Sequence, residues 1–568
     1  MRAATSLVLA GLAVLAAGCV APPPPPSLGT APARQIAVTA NPLATAAATD
    51  MLRQGGSAVD AAIAAEAVLG LLEPQASGLL GGTDLLVFSP ATGEVQNFDG
   101  MATAPSSATQ SLALDTDGSL LDPRRVAFSP RAVGVPGVLP ALFAAHKAYG
   151  KLPWEKLFEP AFSLAINGAP MPRQLHRWLT DPGAEDVLSG LIAPYLDANG
   201  QVIAEGQNFR NPAYAAVLRR VAQLGPDGLF AEGGMSAMLR ELSKSAYPSS
   251  ITGNDLRKAS PRIGPALCES WRGYKICTAP APAAGGFVML QILGMVPPGD
   301  RRDPAFVHRF LEASRLAQAD RRRYLADPAY VDIPERELLD HAYLEQRAGL
   351  IMPTDTIRQP HAGNLLEEDA RRDDPGNPQA GTSSVAVVDG TGLSVAMTST
   401  VNLHFGARVG ALGMVFNNAL INFAPPPPTT LPGEGGHYAN EMAPDKRPVS
   451  PIAPVIVLAP NGQPILVGGG AGGPLIPDVM AMALLDTLGN GTPLPTALSA
   501  GHFHAADPDH IVLETGTEAE ALKPALEALG HRVESEHVDT GTSLLLHTPQ
   551  GWSGAADPRR DGNVVGMP

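Results

Sequence analysis

Cysteine is nearly absent from this 568-residue chain: there are 3, and none has a Cys-x-x-Cys partner or a His-rich neighbourhood. That excludes the common cysteine-ligated zinc and dithiol redox centres. Basic residues are also scarce, with 40 Lys and Arg against 55 Asp and Glu and a net charge of −15. No basic stripe is present to neutralise phosphates, so nucleic acid is not an expected partner. Gly-x-Ser-x-Gly, His-Glu-x-x-His and Walker patterns are all missing, which removes three familiar routes to hydrolysis. No apolar run in the first twenty residues is long enough for a mature membrane span. Leu7 to Ala17 is too short.

That short run has the layout of a targeting segment, with Arg2 before it and Ala16-Ala17-Gly18-Cys19 after it. We read residues 1–18 as a lipoprotein signal peptide and Cys19 as the lipidated start of the mature chain. Residues 19–34, with Pro22–Pro26, form a Pro/Ala-rich tether. The chain would then be exported and lipid-anchored in the bacterial envelope facing the periplasm. The alternative is an ordinary secretory signal with Cys19 incidental, giving a soluble periplasmic or secreted protein. The other cysteines flank Arg272-Gly273 in Leu267–Cys277, a two-residue turn that sets Cys268 opposite Cys277. Either a disulfide or two separate buried thiols fits that register.

With 45% hydrophobic and 17% charged residues, the chain can bury a sizeable core. Apolar periodicity predicts helices over 42–54, 58–71, 136–149, 153–167, 212–224, 235–245, 305–325, 475–488 and 494–500. Strands are expected at 36–39, 84–88, 95–98, after 382, and in 455–467. Hairpin-linked strands with separate helices suggest an α+β protein with antiparallel sheets.

The segment that carries chemistry is Gly381-Thr382-Ser383-Ser384-Val385, where the polar stretch 367–380, read as an exposed loop, turns into a strand. A Gly-Thr bond at such a junction is a plausible self-cleavage point. Thr382 Oγ attacks the Gly381 carbonyl, and hydrolysis of the ester frees Thr382 as an N-terminus. Its α-amine, of reference pKa about 7.7–8.0, can serve as base for its own hydroxyl. A hairpin about Asp389–Gly392 pairs Val388 with Leu393 and sets Thr382 opposite Ser399, with Thr400 and Asn402 beside the nucleophile. The glycines of Gly468–Gly473, between a strand and an apolar helix, offer backbone N–H groups for an oxyanion.

With these residues the sequence resembles the γ-glutamyltransferase family of N-terminal-nucleophile hydrolases. Further matches follow in order: Asn41–Thr45, Gly55–Ala62, Glu73–Gly78 with Gly81-Gly82, Val135–Gly137, Tyr149–Trp154, Ala319–Arg321, Tyr324–Pro328 and Gly554–Arg560. The resemblance implies a four-layer αββα sandwich, a large subunit over 35–381 and a small subunit over 382–568 that begins with the nucleophile. It implies Thr382 as nucleophile, Thr400 as its support, Asn402 and Ser450 in the donor pocket, and Gly472 and Gly473 as the oxyanion hole. The substrate would be a small-molecule or peptide amide, and no cofactor or metal is required.

Several donor-pocket positions depart from the family. Its head-group Arg aligns with Met101, its amide and acidic contacts with Ala419 and Asn422, and its second paired serine with Pro451. Met101 cannot form a bidentate ion pair. Each lost hydrogen bond to a charged group costs about 1.5–3 kcal/mol. The expectation is an autoprocessed acyltransferase or amidohydrolase with an altered donor. A conventional γ-glutamyltransferase or a peptide-binding envelope lipoprotein without turnover are the alternatives. Arg408 is either a replacement cation for a carboxylate or an exposed loop arginine.

Other patterns carry less. Gly468–Gly473 formally matches Gly-x-Gly-x-x-Gly, but no repeated βαβ units surround it. His502, His504 and His510 fit no common zinc spacing and read as a solvated loop. Arg321-Arg322-Arg323 reads as a salt-bridged helix face, and Pro425–Pro428 as a spacer.

Overall fold

The computed structural model describes residues 33–115, 117–181, 193–366, 371–375, 381–425, 437–505 and 510–568. The segment read as a signal peptide, Cys19 and most of the stretch read as a tether lie outside these residues, as do Pro426–Pro428. The fold begins within the segment read as tether: Ala33 N donates to Trp552 O and Arg34 N to Met567 O.

Two antiparallel sheets make the centre. The first contains β1 (Gln35–Thr39), β2 (Gly82–Ser89), β3 (Glu94–Gly100), β4 (Arg262–Pro265), β7 (Gly381–Val388), β8 (Ser394–Asn402) and β13 (Asn563–Met567), in the order β13-β1-β7-β8-β2-β3-β4. The second contains β5 (Leu267–Trp271), β6 (Tyr274–Thr278), β9 (Val455–Leu458), β10 (Pro464–Gly469), β11 (Ser543–Thr548) and β12 (Gly551–Ala556), in the order β12-β11-β10-β9-β6-β5. Every neighbouring pair in both sheets is antiparallel.

Strand alternation sorts the side chains into three cores. Val385, Val387, Val395 and Met397 pack against α1 (Pro42–Arg53) and α2 (Ala58–Leu72). The next residues along the same strands, Ala386, Val388 and Ala396, meet Ile456, Val467 and Leu545 between the sheets. On the far side, Val455, Val457 and Leu466 pack with Phe287 of α5 (Ala284–Met295), Phe310 of α6 (Pro304–Tyr324) and Met480 of α7 (Ile476–Leu484). Helix, sheet, sheet and helix therefore stack as four layers. Between α2 and α5 run α3 (Val138–Tyr149) and α4 (Pro212–Leu224).

The sheets touch closely at Gly469, where an added Cβ would lie 2.9 Å from Thr398 Oγ1 and 3.1 Å from Ser384 Oγ. Cys268 and Cys277 are opposite one another and joined by a disulfide. Its turn takes positive φ at both Arg272 and Gly273, as a two-residue hairpin requires.

Several expectations change. The β7–β8 register is one residue away from the hairpin arithmetic. Val388 pairs with Ser394, and Ser383, not Thr382, faces Ser399. The cause is a longer loop, closed by Asp389 N donating to Leu393 O and by Asp389 Oδ1 accepting from Thr391 N and Oγ1. The helix expected over 153–167 starts with a 3-10 turn, Trp154–Phe158, before Glu159–Asn167. The helix expected to Leu488 ends in a π-turn, Leu485–Gly489. The stretch read as an exposed loop contains Arg371-Arg372, paired in parallel with His437-Tyr438, and buried Asp374, which accepts from Asn440 Nδ2. His502 is not solvated: it is buried 3.8 Å from Asp557, and His504 is half-buried in a short strand. Asp507 and Asp509 lie outside the described residues. In the Arg321–Arg323 face, Arg323 reaches Asp373 at 3.5 Å.

Helix α2 is buried at every position, as an all-round apolar helix should be. Its capping box between Ser57 and Asp60 fixes its start. It carries one acid facing the sheet, Glu66, whose Oε1 accepts from Ser399 Oγ at 2.7 Å. Burial raises the Glu66 pKa from 4.5 to about 8; Ser399 opposes the shift and Glu73 adds to it. The folded state holds a proton that the unfolded chain releases above pH 4.5, so this stabilising contribution fades as pH rises toward 8. Glu66→Gln, which cannot ionise, is expected to gain stability relative to the native chain between pH 5 and 8, by up to about 1.4 kcal/mol per pH unit. Thermal melts across that range check it; a pH-independent gap would contradict a buried neutral acid.

Candidate active site

Thr382 lies on the inner, sheet-facing side of β7 and is only 3% exposed. Its neighbours follow from an irregularity in the ladder. Gly381 pairs with Asn402 and Ser383 with Ser399, so Thr382 faces both Thr400 and Val401 across a bulge. Thr382 Oγ1 donates to Thr400 Oγ1 at 3.4 Å, and Thr400 Oγ1 donates to the Gly381 carbonyl in a short hydrogen bond. Asn402 N donates to Thr400 Oγ1 at 2.8 Å. The hydroxyl of Thr400 is thus aimed at the carbonyl that precedes Thr382.

Gly381 has no room for a side chain. A Cβ there would lie 2.8 Å from Gln75 O and 2.9 Å from Asn402 O. Asn402 itself takes a left-handed φ of 80°, which Asn tolerates better than most residues. Its Nδ2 donates to Asn418 O and Oδ1 at 3.2 and 3.1 Å, leaving Oδ1 buried without a hydrogen-bond partner. Asn418 also accepts from Leu403 N and donates to Ala127 O.

The carbonyl of Thr382 accepts from Arg560 Nη1 at 2.6 Å. Arg560 in turn donates to Asp539 O at 3.1 Å and pairs with its carboxylate at 3.3 Å. Burial pushes the guanidinium pKa down, but Asp539, Glu73 and Asp557 raise it above its ordinary value. On the helix side of β7, Ser383 Oγ donates to Glu73 Oε2 at 2.9 Å. Burial lifts the Glu73 carboxyl to about 7, against the pull of Arg560 and Ser383.

Gly472 and Gly473 have φ of 130° and 61°, values that favour glycine. A Cβ on Gly472 would lie 3.0 Å from Thr540 Cγ2, and Gly541 N donates to Ala471 O at 3.1 Å. The glycine turn and Arg560 therefore share one support, the 539–541 loop. The strand before this turn, β10, is antiparallel to both neighbours, which removes the dinucleotide-binding topology.

The donor-pocket candidates are dispersed over three segments. Ser450 is bound through its backbone to Pro282 O and Ala284 N, with a buried Oγ that has no hydrogen-bond partner. Asn422 ends the 3-10 turn Ala419–Asn422 and gives its carbonyl to Asn440 Nδ2 at 2.6 Å; its own Oδ1 is buried and unpartnered. Met101 donates its N–H to Asp99 Oδ1 and packs into the core of the second helix layer. Its Sδ is 3.3 Å from where Gly82, the strand partner of Thr400, would carry a Cβ. Arg408 is not exposed: it is half-buried with its guanidinium 3.8 Å over the Phe128 ring.

A family model described as Gamma-glutamyltranspeptidase matches residues 44–567. The chain belongs to this family. The glutathione hydrolase proenzyme of Escherichia coli (strain K12) is 30% identical over 582 residues, 98% of this chain and 97% of the relative. The Acylase ACY 1 proenzyme of Pseudomonas sp. (strain SE83) is 30% identical over 548 residues, 94% of each. The cephalosporin acylase from Bacillus halodurans shares the fold with a TM-score of 0.81 at 23% identity, over 97% of this chain and 99% of that one. The γ-glutamyltranspeptidase family is a family of enzymes, and this chain is one of them.

Glu73, Arg560, Asp539 and Asn418 were not singled out from the sequence as site residues. Glu73 and Arg560 lie within segments that matched the family, which was the available signal. Asp539 had none. Among the described residues, His308, Glu312 and His531 bring metal-type side chains together. Their hydrogen bonds account for the arrangement. His308 Nδ1 faces His531 Nε2 at 2.7 Å, while Glu312 accepts from Arg315, Thr356 and Ile357 N. With an arginine on the carboxylate and the imidazoles bonded to each other, the cluster is a hydrogen-bonded core network.

The crowding at Gly381 is directly testable. Gly381→Ala forces backbone carbonyls apart, and overpacking of this kind costs about 1–3 kcal/mol. The variant should unfold at a lower urea midpoint; an unchanged midpoint would contradict the close approach.

Proposed function

We propose that this protein is an autoprocessed acyltransferase or amidohydrolase that uses Thr382 as its nucleophile. The observation that carries this reading is the Thr400 hydroxyl, which bridges Thr382 Oγ1 and the Gly381 carbonyl. In processing, Thr382 Oγ1 attacks the Gly381 carbonyl carbon while the Thr400 hydroxyl stabilises the developing oxyanion. The bond from Gly381 to Thr382 N breaks, the nitrogen takes the proton from the hydroxyl, and an ester remains on Oγ1. Water hydrolyses that ester, releasing the Gly381 carboxylate and leaving Thr382 with a free amine and a free hydroxyl.

In turnover the same amine takes the proton from Oγ1 as that oxygen attacks a donor amide. The proton passes to the leaving amine, and the acyl group remains as an ester on Thr382 until water or an acceptor amine removes it. Gly472 and Gly473 are proposed as the oxyanion hole, with the chain divided at 381/382 into large and small subunits. Relatives named proenzymes at 30% identity support processing. Export with a lipid on Cys19 completes the proposal from the leader alone.

Purified protein should resolve on a denaturing gel into two fragments, the smaller with Thr382 at its N-terminus. Thr382→Ala should remain one chain, and Thr400→Val should cleave at least about 100-fold more slowly, the scale of losing one oxyanion donor. A Thr382→Ala protein that still cleaves would sink the reading.

The donor is proposed to differ from a simple γ-glutamyl amino acid. Met101 lies in an apolar core, Pro451 offers no hydroxyl, and Arg408 is engaged with Phe128. A zwitterionic head group would lack the cation that the family resemblance places at Met101, and burying an unmatched charge is penalised heavily. Asn402 Oδ1, Asn422 Oδ1 and Ser450 Oγ remain as buried, unpartnered polar atoms, able to receive N–H or O–H groups of an uncharged acyl chain. A glutathione hydrolase among the relatives supports the second reading, a conventional γ-glutamyl donor. Release of p-nitroaniline from γ-glutamyl-, glutaryl- and butyryl-p-nitroanilide separates the two. We expect kcat/KM for the γ-glutamyl compound to be at least about tenfold below that for butyryl, one lost charged contact or more. γ-Glutamyl turnover with kcat above about 1 per second, an ordinary enzymatic rate, would restore the conventional donor.

A further inference from the structure

We propose that Glu73 is a positioning residue for the nucleophile: through Ser383 it keeps the start of β7 in register once the bond before Thr382 is cut. The proposal rests on Thr382 being that nucleophile.

While the chain is continuous, Thr382 is held from upstream because Gly381 is wedged between the carbonyls of Gln75 and Asn402. Cleavage removes that hold. The new terminus then depends on what grips it from downstream, since a strand end without ties frays. Two side-chain ties lie within the first two residues. Arg560 Nη1 holds the Thr382 carbonyl at 2.6 Å, and Glu73 Oε2 accepts from Ser383 Oγ at 2.9 Å. They grip the chain at two adjacent points, the Thr382 carbonyl and the Ser383 side chain on the helix-facing side of the sheet.

Glu73 is rigidly mounted. It caps the end of α2, with its N–H on Leu69 O at 2.7 Å, and its carbonyl accepts from Ala76 N and Ser77 N to close a turn. The same turn also holds the far end of β8. Ala76 O accepts from Val401 N at 3.0 Å, and Gln75 O accepts from Phe405 N at 3.1 Å. Thr400 and Asn402 lie on or beside that stretch. One turn therefore sets the position of β8, which carries Thr400, and through Glu73 the position of β7, which carries Thr382. Without the side-chain tie, the two strands would be registered against each other by the long Thr382–Thr400 hydroxyl contact and by a ladder that is interrupted at Thr382.

The chemistry of Glu73 argues against plain packing. Its carboxyl is 1% exposed, its second oxygen has no hydrogen-bond partner, and it shares its surroundings with Arg560, Asp539, Asp561 and Glu66. An apolar side chain would fill that volume without burying an acid. What the carboxyl adds is an acceptor for Ser383.

Three variants test the proposal on the processed protein: Ser383→Ala, Glu73→Ala and Glu73→Gln. In Ser383→Ala and Glu73→Ala, self-cleavage should proceed. The kcat on the fastest of the three anilides should then fall about tenfold or more, with KM changing less than about threefold, the pattern of a misplaced reactive group. Glu73→Gln, which keeps an acceptor for Ser383, should recover most of that rate. Amide hydrogen exchange at Ser383–Val385 of the cleaved protein should accelerate by at least about tenfold in Ser383→Ala, reporting local opening without any substrate. Unchanged kcat together with unchanged exchange in Ser383→Ala would overturn the proposal, even if Glu73→Ala fails to fold. Thr382→Ala distinguishes the two levels: if it still turns over, the nucleophile reading fails. If it is inert while Ser383→Ala is fully active, only the positioning role fails.

Discussion

Between Gly381 and Ser383 the ladder of β7 and β8 gains one residue on the β8 side, and the site is organised around that slip. A regular antiparallel pair would put one residue against Thr382. The bulge puts two there, which brings the Thr400 hydroxyl onto the Gly381 carbonyl while Asn402, at positive φ, turns its amide toward Asn418. The backbone comes so close at Gly381 that only glycine fits. Two threonine hydroxyls and a carbonyl are thus brought together by main-chain geometry.

The alternation of β7 then divides labour between its two faces. Inward, Thr382 and Ser384 face the second sheet, where Gly469 allows the layers to approach. Outward, Ser383 meets Glu73, and on β8 Ser399 meets Glu66. Both acids are raised by burial toward or above neutrality. Neutral acids of this kind impose little field on the strand, whereas Arg560, kept charged by Asp539 and its other acidic neighbours, stands against the Thr382 carbonyl. Arg560 thus reaches the Thr382 carbonyl from within a group of acidic side chains, Asp539, Glu73 and Asp557, that offset its charge.

How far the sequence could be read follows the same physics. Periodic burial exposed most helix and strand positions, and Arg272-Gly273 predicted the Cys268–Cys277 pairing because a two-residue turn leaves no choice of register. The Asp389 loop did leave a choice: its side chain supports a longer turn, and the register moved by one residue. Thr400 and Asn402 were still found because the error was smaller than the neighbourhood. Arg560 lies far along the chain from Thr382 and meets its carbonyl from the turn before β13, which closes the sheet against β1, a contact that no local period encodes. His502 was misread for a related reason: a polar-looking segment became buried by packing beside Asp557.

The chemistry and the altered donor proposed above are compatible because different parts of the fold would supply them. The nucleophile, its hydroxyl partner and the glycine turn stand on the central strands and on the 539–541 loop, where geometry is fixed by ladders and close backbone contact. The donor-pocket candidates Met101, Asn422 and Ser450 stand on the end of β3, on a 3-10 turn and on the segment entering β9, pieces joined by Asn440, which holds Asn422 O and Val449 N, and by Arg447 against Asp99. Met101 belongs to the same apolar core as Ile452, Val449 and Ala283, so the fold buries no charge at that position. A change at such a position alters what the pocket can neutralise without moving Thr382. On the proposed reading, a substrate that brings no carboxylate to Met101 escapes that loss, so the acyl head group, and not the bond cleaved, is where this chain would depart from a γ-glutamyl donor.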